Sequence, residues 1–277
     1  MNPLSFNDSW THRGGLIATP AVLPAFLVAC GHSGTTPLVD LLSLHPNVFT
    51  VAPNAALEYS VKADSFRRIS MLVESRRDDV TFANLAAMNK HQNATHWLVK
   101  SPSNACRLGY IFATLPLTRV VGLVRDGRDV MLSLIERYPN ADPGGVLCLQ
   151  RWVNDNEAIL LYQNDPRLLI VRYEDLFVGA GYPTLEKILV HYHVEKDCLE
   201  TMLKKRHTNL HEPGVASAAI ATEAHTLLRI TQLKRPFERS TPRWPTAMTL
   251  ELKRIFKANE RAVALLRHFD YSGTHEW

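Results

Sequence analysis

The chain has 277 residues, 46% of them hydrophobic and 21% charged, which is enough apolar material for the core of one large α/β unit or two small ones. A net charge of +4 biases it toward anionic ligands, but it lacks the dense basic stripe of a nucleic-acid binder. No apolar run reaches the roughly 18–20 residues of a membrane span.

Residues 16–30 follow Arg13 and end Leu27-Val28-Ala29-Cys30, a pattern similar to a bacterial lipoprotein cleavage box. Pro20 and Pro24 interrupt it, and cleavage there would remove an apolar run, 25–30, that reads as a buried strand. After that run comes a turn of small residues, Gly31-His32-Ser33-Gly34-Thr35-Thr36, and then a helical pattern over 37–44 that Pro46 stops. Strand, tight turn and helix N-terminus together make an anion holder. The first N–H groups of the helix point at the ligand, glycine permits close approach, and hydroxyls add donors. The ATP-type loop needs a lysine after its second glycine, where this chain has Thr35, and its glycines are spaced more widely. The expectation is a phosphate grip without that lysine and without a metal.

Further strands are predicted at 48–51, 97–100, 119–124 and 168–172, and helices at 105–115, 129–138, 146–163 and 184–192. This alternation argues for a parallel sheet covered by helices on both faces, with ligands beyond the carboxyl ends of the strands. Lys100 and Arg125 stand at two such ends. Ser133 and Arg137 lie four apart, on one helix face that Arg125 can meet, and make a clamp for a phosphate dianion. The basic run Lys204-Lys205-Arg206-His207 reads as a solvated helix end. Residues 208–245, rich in proline, read as a long loop or lid, and 249–268 as a final helix. The cysteines Cys30, Cys106, Cys148 and Cys198 form no C-x-x-C pair, which argues against zinc and for free thiols in a reducing compartment. The glycosylation sequons at Asn7 and Asn93 carry meaning only in a secreted chain.

The ordered pair of anion motifs resembles the sulfotransferases that use 3′-phosphoadenylyl sulfate (PAPS). Ser33-Gly34-Thr35-Thr36 is similar to that family's 5′-phosphosulfate loop, and Arg125-Asp126-Gly127-Arg128-Asp129 with Ser133 to its 3′-phosphate motif. Arg137 fits the tyrosylprotein branch. Lys100-Ser101-Pro102, Arg172-Tyr173-Glu174-Asp175-Leu176, Arg235-Pro236 and Arg243-Trp244 extend the resemblance over residues 25–245. It implies a P-loop-like α/β fold in one domain spanning 1–277, with 208–245 closing over the nucleotide. Implied donor contacts are Gly31, His32, Ser33, Gly34, Thr35, Thr36, Arg125, Ser133, Arg137, Tyr173, Arg243 and Trp244. Core packing is the rival reading for Tyr173 and Trp244.

The chain also departs from the family pattern. His32 stands where the family usually has Arg or Lys, so it is either a neutral donor, a protonated partner of the phosphosulfate, or a loop residue without a chemical role. Lys100 is expected beside the bridging oxygen, assisting departure of 3′,5′-adenosine bisphosphate. The histidine that animal cytosolic relatives carry after this lysine is absent. Glu58, the one carboxylate between Asp40 and Asp64, becomes the candidate base, with a solvated surface Glu as its rival. The expected acceptor is a hydroxyl or amine of a small soluble metabolite in the cytoplasm, with no nucleic acid, membrane span or metal involved. A glycan, glycolipid or peptide tyrosine acceptor and a homodimer stay open. The competing functions are an ATP-dependent kinase and a non-catalytic nucleotide-binding module.

Overall fold

The computed structural model describes residues 23–51, 95–140, 142–208 and 237–271. Five short, largely apolar runs form the strands β1 (Leu23–Ala29), β2 (Val48–Val51), β3 (His96–Lys100), β4 (Arg119–Val124) and β5 (Leu168–Arg172). All pair in parallel, in the order β2-β3-β1-β4-β5. β1 is therefore central. From β1 the chain crosses to the outer strand β2, returns to β3 beside β1, and then passes to the other side for β4 and β5. This is the topological switch at which open α/β sheets bind ligands. The register sets Lys100 beside Leu27 and Leu123 beside Ala29, so the carboxyl ends of β3, β1 and β4 lie together.

The two-residue period of a strand divides the core between the faces of the sheet. Ala25, Leu27 and Ala29 of β1, with Val121 and Leu123 of β4, pack under α1 (Thr35–Leu42), α5 (Pro183–His191) and α6 (Leu199–Thr208). Phe26, Val28 and Val120 face the other way, against α2 (Leu108–Thr114) and α4 (Val146–Leu160). Beyond them Cys30 and Val124 meet α3 (Gly127–Arg137), α4 and, at the chain's end, α8 (Leu250–Ala258) and α9 (Glu260–His268). A fully buried leucine such as Leu27 contributes about 2 kcal/mol by leaving water. The Tyr192 hydroxyl, itself buried, donates to the Phe26 carbonyl at 2.8 Å, so the aromatic ring enters this layer without an unpaired oxygen.

Three elements differ from their sequence reading. Pro102 opens a 3₁₀ turn (Pro102–Arg107) ahead of α2, where one continuous helix is expected. The final helix breaks at Asn259, whose extended backbone ends α8 while its side chain caps α9 by accepting from Ala262 N at 3.0 Å. Arg206 is not a solvated helix end: it is 3% exposed and pairs with Asp40 at 2.6 Å, tying α6 to α1. Among the described residues no helix is long and apolar enough to cross a membrane.

Candidate active site

The turn after β1 is built from unusual backbone. His32 has φ +71° and Gly34 φ +91°, and Ser33 N donates to Cys30 O at 3.3 Å. Gly34 is required twice over. Its φ lies in the left-handed region, and a Cβ there would come within 2.4 Å of the Tyr173 ring. No side chain caps α1, so its first N–H groups stay available to a ligand. The Ser33 hydroxyl is fully buried and has no hydrogen-bond partner. An orphaned donor of this kind is expensive unless a ligand satisfies it. Thr35 is buried in the first helical turn and Thr36 is half-buried beside it.

The second motif runs on side-chain charge. Asp126 caps α3 by accepting from Arg128 N at 3.0 Å, and it holds the Arg128 guanidinium at 2.9 and 2.6 Å. That guanidinium covers the buried Trp244 ring at 3.8 Å. Arg128 is thus scaffold, and Trp244 presents its ring to the core and to Arg128. Arg125, at the tip of β4, is differently placed. It lies over Tyr173 at 4.7 Å and donates to His32 O at 3.4 Å and to Ser240 Oγ at 2.9 Å, while its Nε is buried and unpartnered.

His32 and Ser133 link the two motifs directly: Nδ1 and Oγ share a hydrogen bond at 2.8 Å. Burial, then the charges of Arg151, Arg137 and Arg125, push the His32 imidazole down to about 4. It is therefore neutral at neutral pH in the free protein, so the protonated alternative does not describe this state. Three guanidinium groups converge on one small region. Arg137 sits one turn beyond Ser133 on α3, and two carboxylates of the same helix, Glu136 and Asp129, are engaged elsewhere. Glu136 pairs with Arg243 at 2.8 Å, and Asp129 accepts from Arg243 N and Trp244 N, each at 2.9 Å.

Those last contacts fix the described end of the late segment. Residues 237–243 are irregular and precede the short α7 (Trp244–Ala247). Ser240 also donates to the Tyr173 hydroxyl at 3.4 Å. Tyr173 therefore touches the loop through Gly34, the clamp through Arg125 and the late segment through Ser240. Its neighbours in the sequence secure the position. Glu174 accepts from Tyr271 at 2.6 Å and from Asp126 N at 3.4 Å, Asp175 pairs with Arg172 at 2.8 Å, and Leu176 is buried. Lys100 ends β3 with its side chain buried, next to β1. Glu58 and residues 209–236 lie outside the described residues.

The structure thus gathers Gly31, His32, Ser33, Gly34, Arg125, Ser133 and Tyr173 at one end of the sheet, with Arg137 near enough to act on His32. The Arg243 guanidinium turns to Glu136, and the Trp244 ring turns inward. Ser240, Asp129 and Arg151 belong to the same neighbourhood; Ser240 and Arg151, and the part that Asp129 plays, are missing from the sequence reading. Asp129 lay within a motif already singled out, whereas the other two have no motif to mark them.

A model of the sulfotransferase family matches residues 24–197. No curated protein sequence matches the chain. Among solved structures, mouse sulfotransferase SULT7A1 complexed with PAP is similar with a TM-score of 0.54 and 15% identity, over 90% of this chain and 88% of that one. Sulfotransferase STF9 from Mycobacterium avium is similar with a TM-score of 0.50 and 15% identity, over 91% of this chain and 78% of that one. At such identity these structures speak for the fold, a P-loop-like α/β sheet, while the family match covers both anion motifs. The chain belongs to the sulfotransferase family.

Proposed function

We propose that the chain transfers a sulfuryl group from PAPS to a hydroxyl or amine of a small soluble acceptor. The observation that carries this reading is the pairing of two kinds of anion site at the ends of adjacent strands. One is an uncapped helix start with an orphaned Ser33 hydroxyl, and the other is an arginine–serine clamp whose Arg125 Nε lacks a partner. A nucleotide with phosphosulfate at 5′ and phosphate at 3′ carries a matching group for each. The mouse relative's structure holds PAP, which is what such a donor leaves after transfer.

When bound, the donor supplies an activated sulfur whose bond to the phosphate oxygen breaks as the bond to the acceptor forms. In this reading the first N–H groups of α1, with Ser33, Thr35 and Thr36, orient the phosphosulfate. Arg125, Ser133 and Arg137 fix the 3′-phosphate and so the position of the other end. Tyr173 supports both sites from below. Lys100 neutralises charge that develops on the departing phosphate oxygen. Glu58 is the carboxylate proposed to take the acceptor's proton.

Calorimetry with 3′,5′-adenosine bisphosphate against ATP tests the donor, and mass spectrometry for sulfated products in a metabolite extract tests the transfer. Expected are tight binding of the bisphosphate, weak binding of ATP, and a sulfated product. Lys100→Ala should lower turnover about 10²–10³-fold with nucleotide affinity nearly retained. Preferential binding of ATP, with magnesium-dependent phosphorylation of an acceptor, would replace this reading with a kinase.

A further inference from the structure

The residues of the anion loop, Gly31 to Thr36, include no permanently charged side chain, and His32 is neutral. Lys100 is assigned to the bridging oxygen, so within the loop itself only backbone N–H groups and hydroxyls face a group that carries full negative charge. A guanidinium reaches the loop from elsewhere. A methyl group placed on Gly31 Cα would come within 3.0 Å of Arg151 Nη2 and 3.4 Å of its Cζ, so the fork of Arg151 lies against the bare face of the loop. Glycine at 31 is what lets it approach so closely.

Arg151 projects from α4, a helix that packs beneath the sheet and shares no sequence motif with the loop. Its side chain is 42% exposed, so the guanidinium is open to solvent on one side and touches the loop on the other. Asp155, one turn along, steers it from 3.6 Å. That carboxylate faces inward: its Oδ2, the atom nearest Arg151, is sealed from solvent, and its charge acts on the buried Cys30 thiol. The arginine is thus anchored from behind and free in front. Of the three guanidinium charges that act on His32, that of Arg151 acts most strongly.

We propose that Arg151 is the cationic ligand of the anion loop, delivered from α4 to grip the phosphosulfate end of the bound donor. The assignment rests on the PAPS reading above and adds to it a residue at the 5′ end. A guanidinium presents a fork of N–H donors that suits a tetrahedral oxyanion, and it holds its charge at every physiological pH. The rival is an ordinary (i, i+4) helix ion pair with Asp155, weak and irrelevant to ligands.

The test is calorimetry on wild type, Arg151→Ala, Arg151→Lys and Ser133→Ala, with adenosine 5′-phosphosulfate and 3′,5′-adenosine bisphosphate as the two titrants. Arg151→Ala should weaken both by similar factors of about 10–100, since both carry a 5′ anion. Arg151→Lys should fall between it and wild type. Ser133→Ala should weaken the bisphosphate alone. Thermal melting should leave Arg151→Ala within a few degrees of wild type, because the side chain is partly exposed. Wild-type binding together with unchanged binding by Arg151→Ala would overturn this assignment and spare the donor reading. A wild type that binds neither titrant would overturn both.

Discussion

The two anion motifs of this chain occupy neighbouring strand ends but work by different physics. After β1 the grip is made by the shape of the backbone: two left-handed residues, an uncapped helix start and a buried hydroxyl. After β4 it is made by side-chain charge, with one guanidinium held in place by Tyr173, Ser240 and the His32 carbonyl. A site of the first kind depends on conformation and tolerates many side-chain changes. A site of the second kind depends on one or two groups and tolerates almost none. The first also needs its charge brought in from outside, whereas the second carries its own.

The contrast can be broken most severely at Gly34. Gly34→Val forces a β-branched residue into the left-handed region and into the Tyr173 ring, for a cost of about 3 kcal/mol or more. Thermal denaturation should show a drop of several degrees, and calorimetry should show loss of all nucleotides alike. A stable variant that still binds would mean that the loop's shape is not what holds the ligand. Next in size, Arg125→Ala should weaken the 3′,5′-bisphosphate about 10–100-fold and adenosine 5′-phosphosulfate far less. Equal losses for both would erase the distinction between the two sites.

The smallest effect concerns His32, where the motifs meet. Its folded pKa of about 4 lies below the usual 6.5, so the folded state holds fewer protons than the unfolded. The stability this contributes is fully present above pH 6.5 and drains away as pH falls toward 4. His96 is depressed in the same direction, so the total acid loss is shared. The difference between wild type and His32→Asn isolates one share, and asparagine tolerates the positive φ. Denaturant melts should find that difference changing by about 1 kcal/mol between pH 7 and pH 5.5. No change would place the imidazole in a less confined setting.

The strands were legible because short apolar runs bounded by turn residues and alternating with helical patterns admit few other readings, and strand ends are where this fold collects its chemistry. Helix ends were less so. Asn259 breaks the last helix by capping the next one, a local hydrogen bond that apolar periodicity does not register. Charge was least legible. Arg206 stands in a basic run that reads as solvated, yet a single carboxylate across the fold, Asp40, draws it into the interior. Trp244 sits in a segment that resembles a nucleotide-closing loop, but the Arg128 guanidinium of α3, far earlier in the chain, covers its inward-facing ring. Arg151 has no signature beyond an aspartate four residues on, a spacing common to ordinary helix surfaces. In each case the partner that decides the role is distant in sequence.

A sulfur atom directly ahead of the anion loop would ordinarily expose the protein to peroxide and alkylating reagents. Cys30 escapes this, because burial, reinforced by the Asp155 charge, raises its pKa far above the ordinary thiol range and leaves no path for an electrophile. Cys106, exposed on the turn after β3, is the thiol such reagents meet first. Maleimide labelling should therefore mark that turn while leaving the loop intact, giving a fluorescent reporter a place to sit within the working protein.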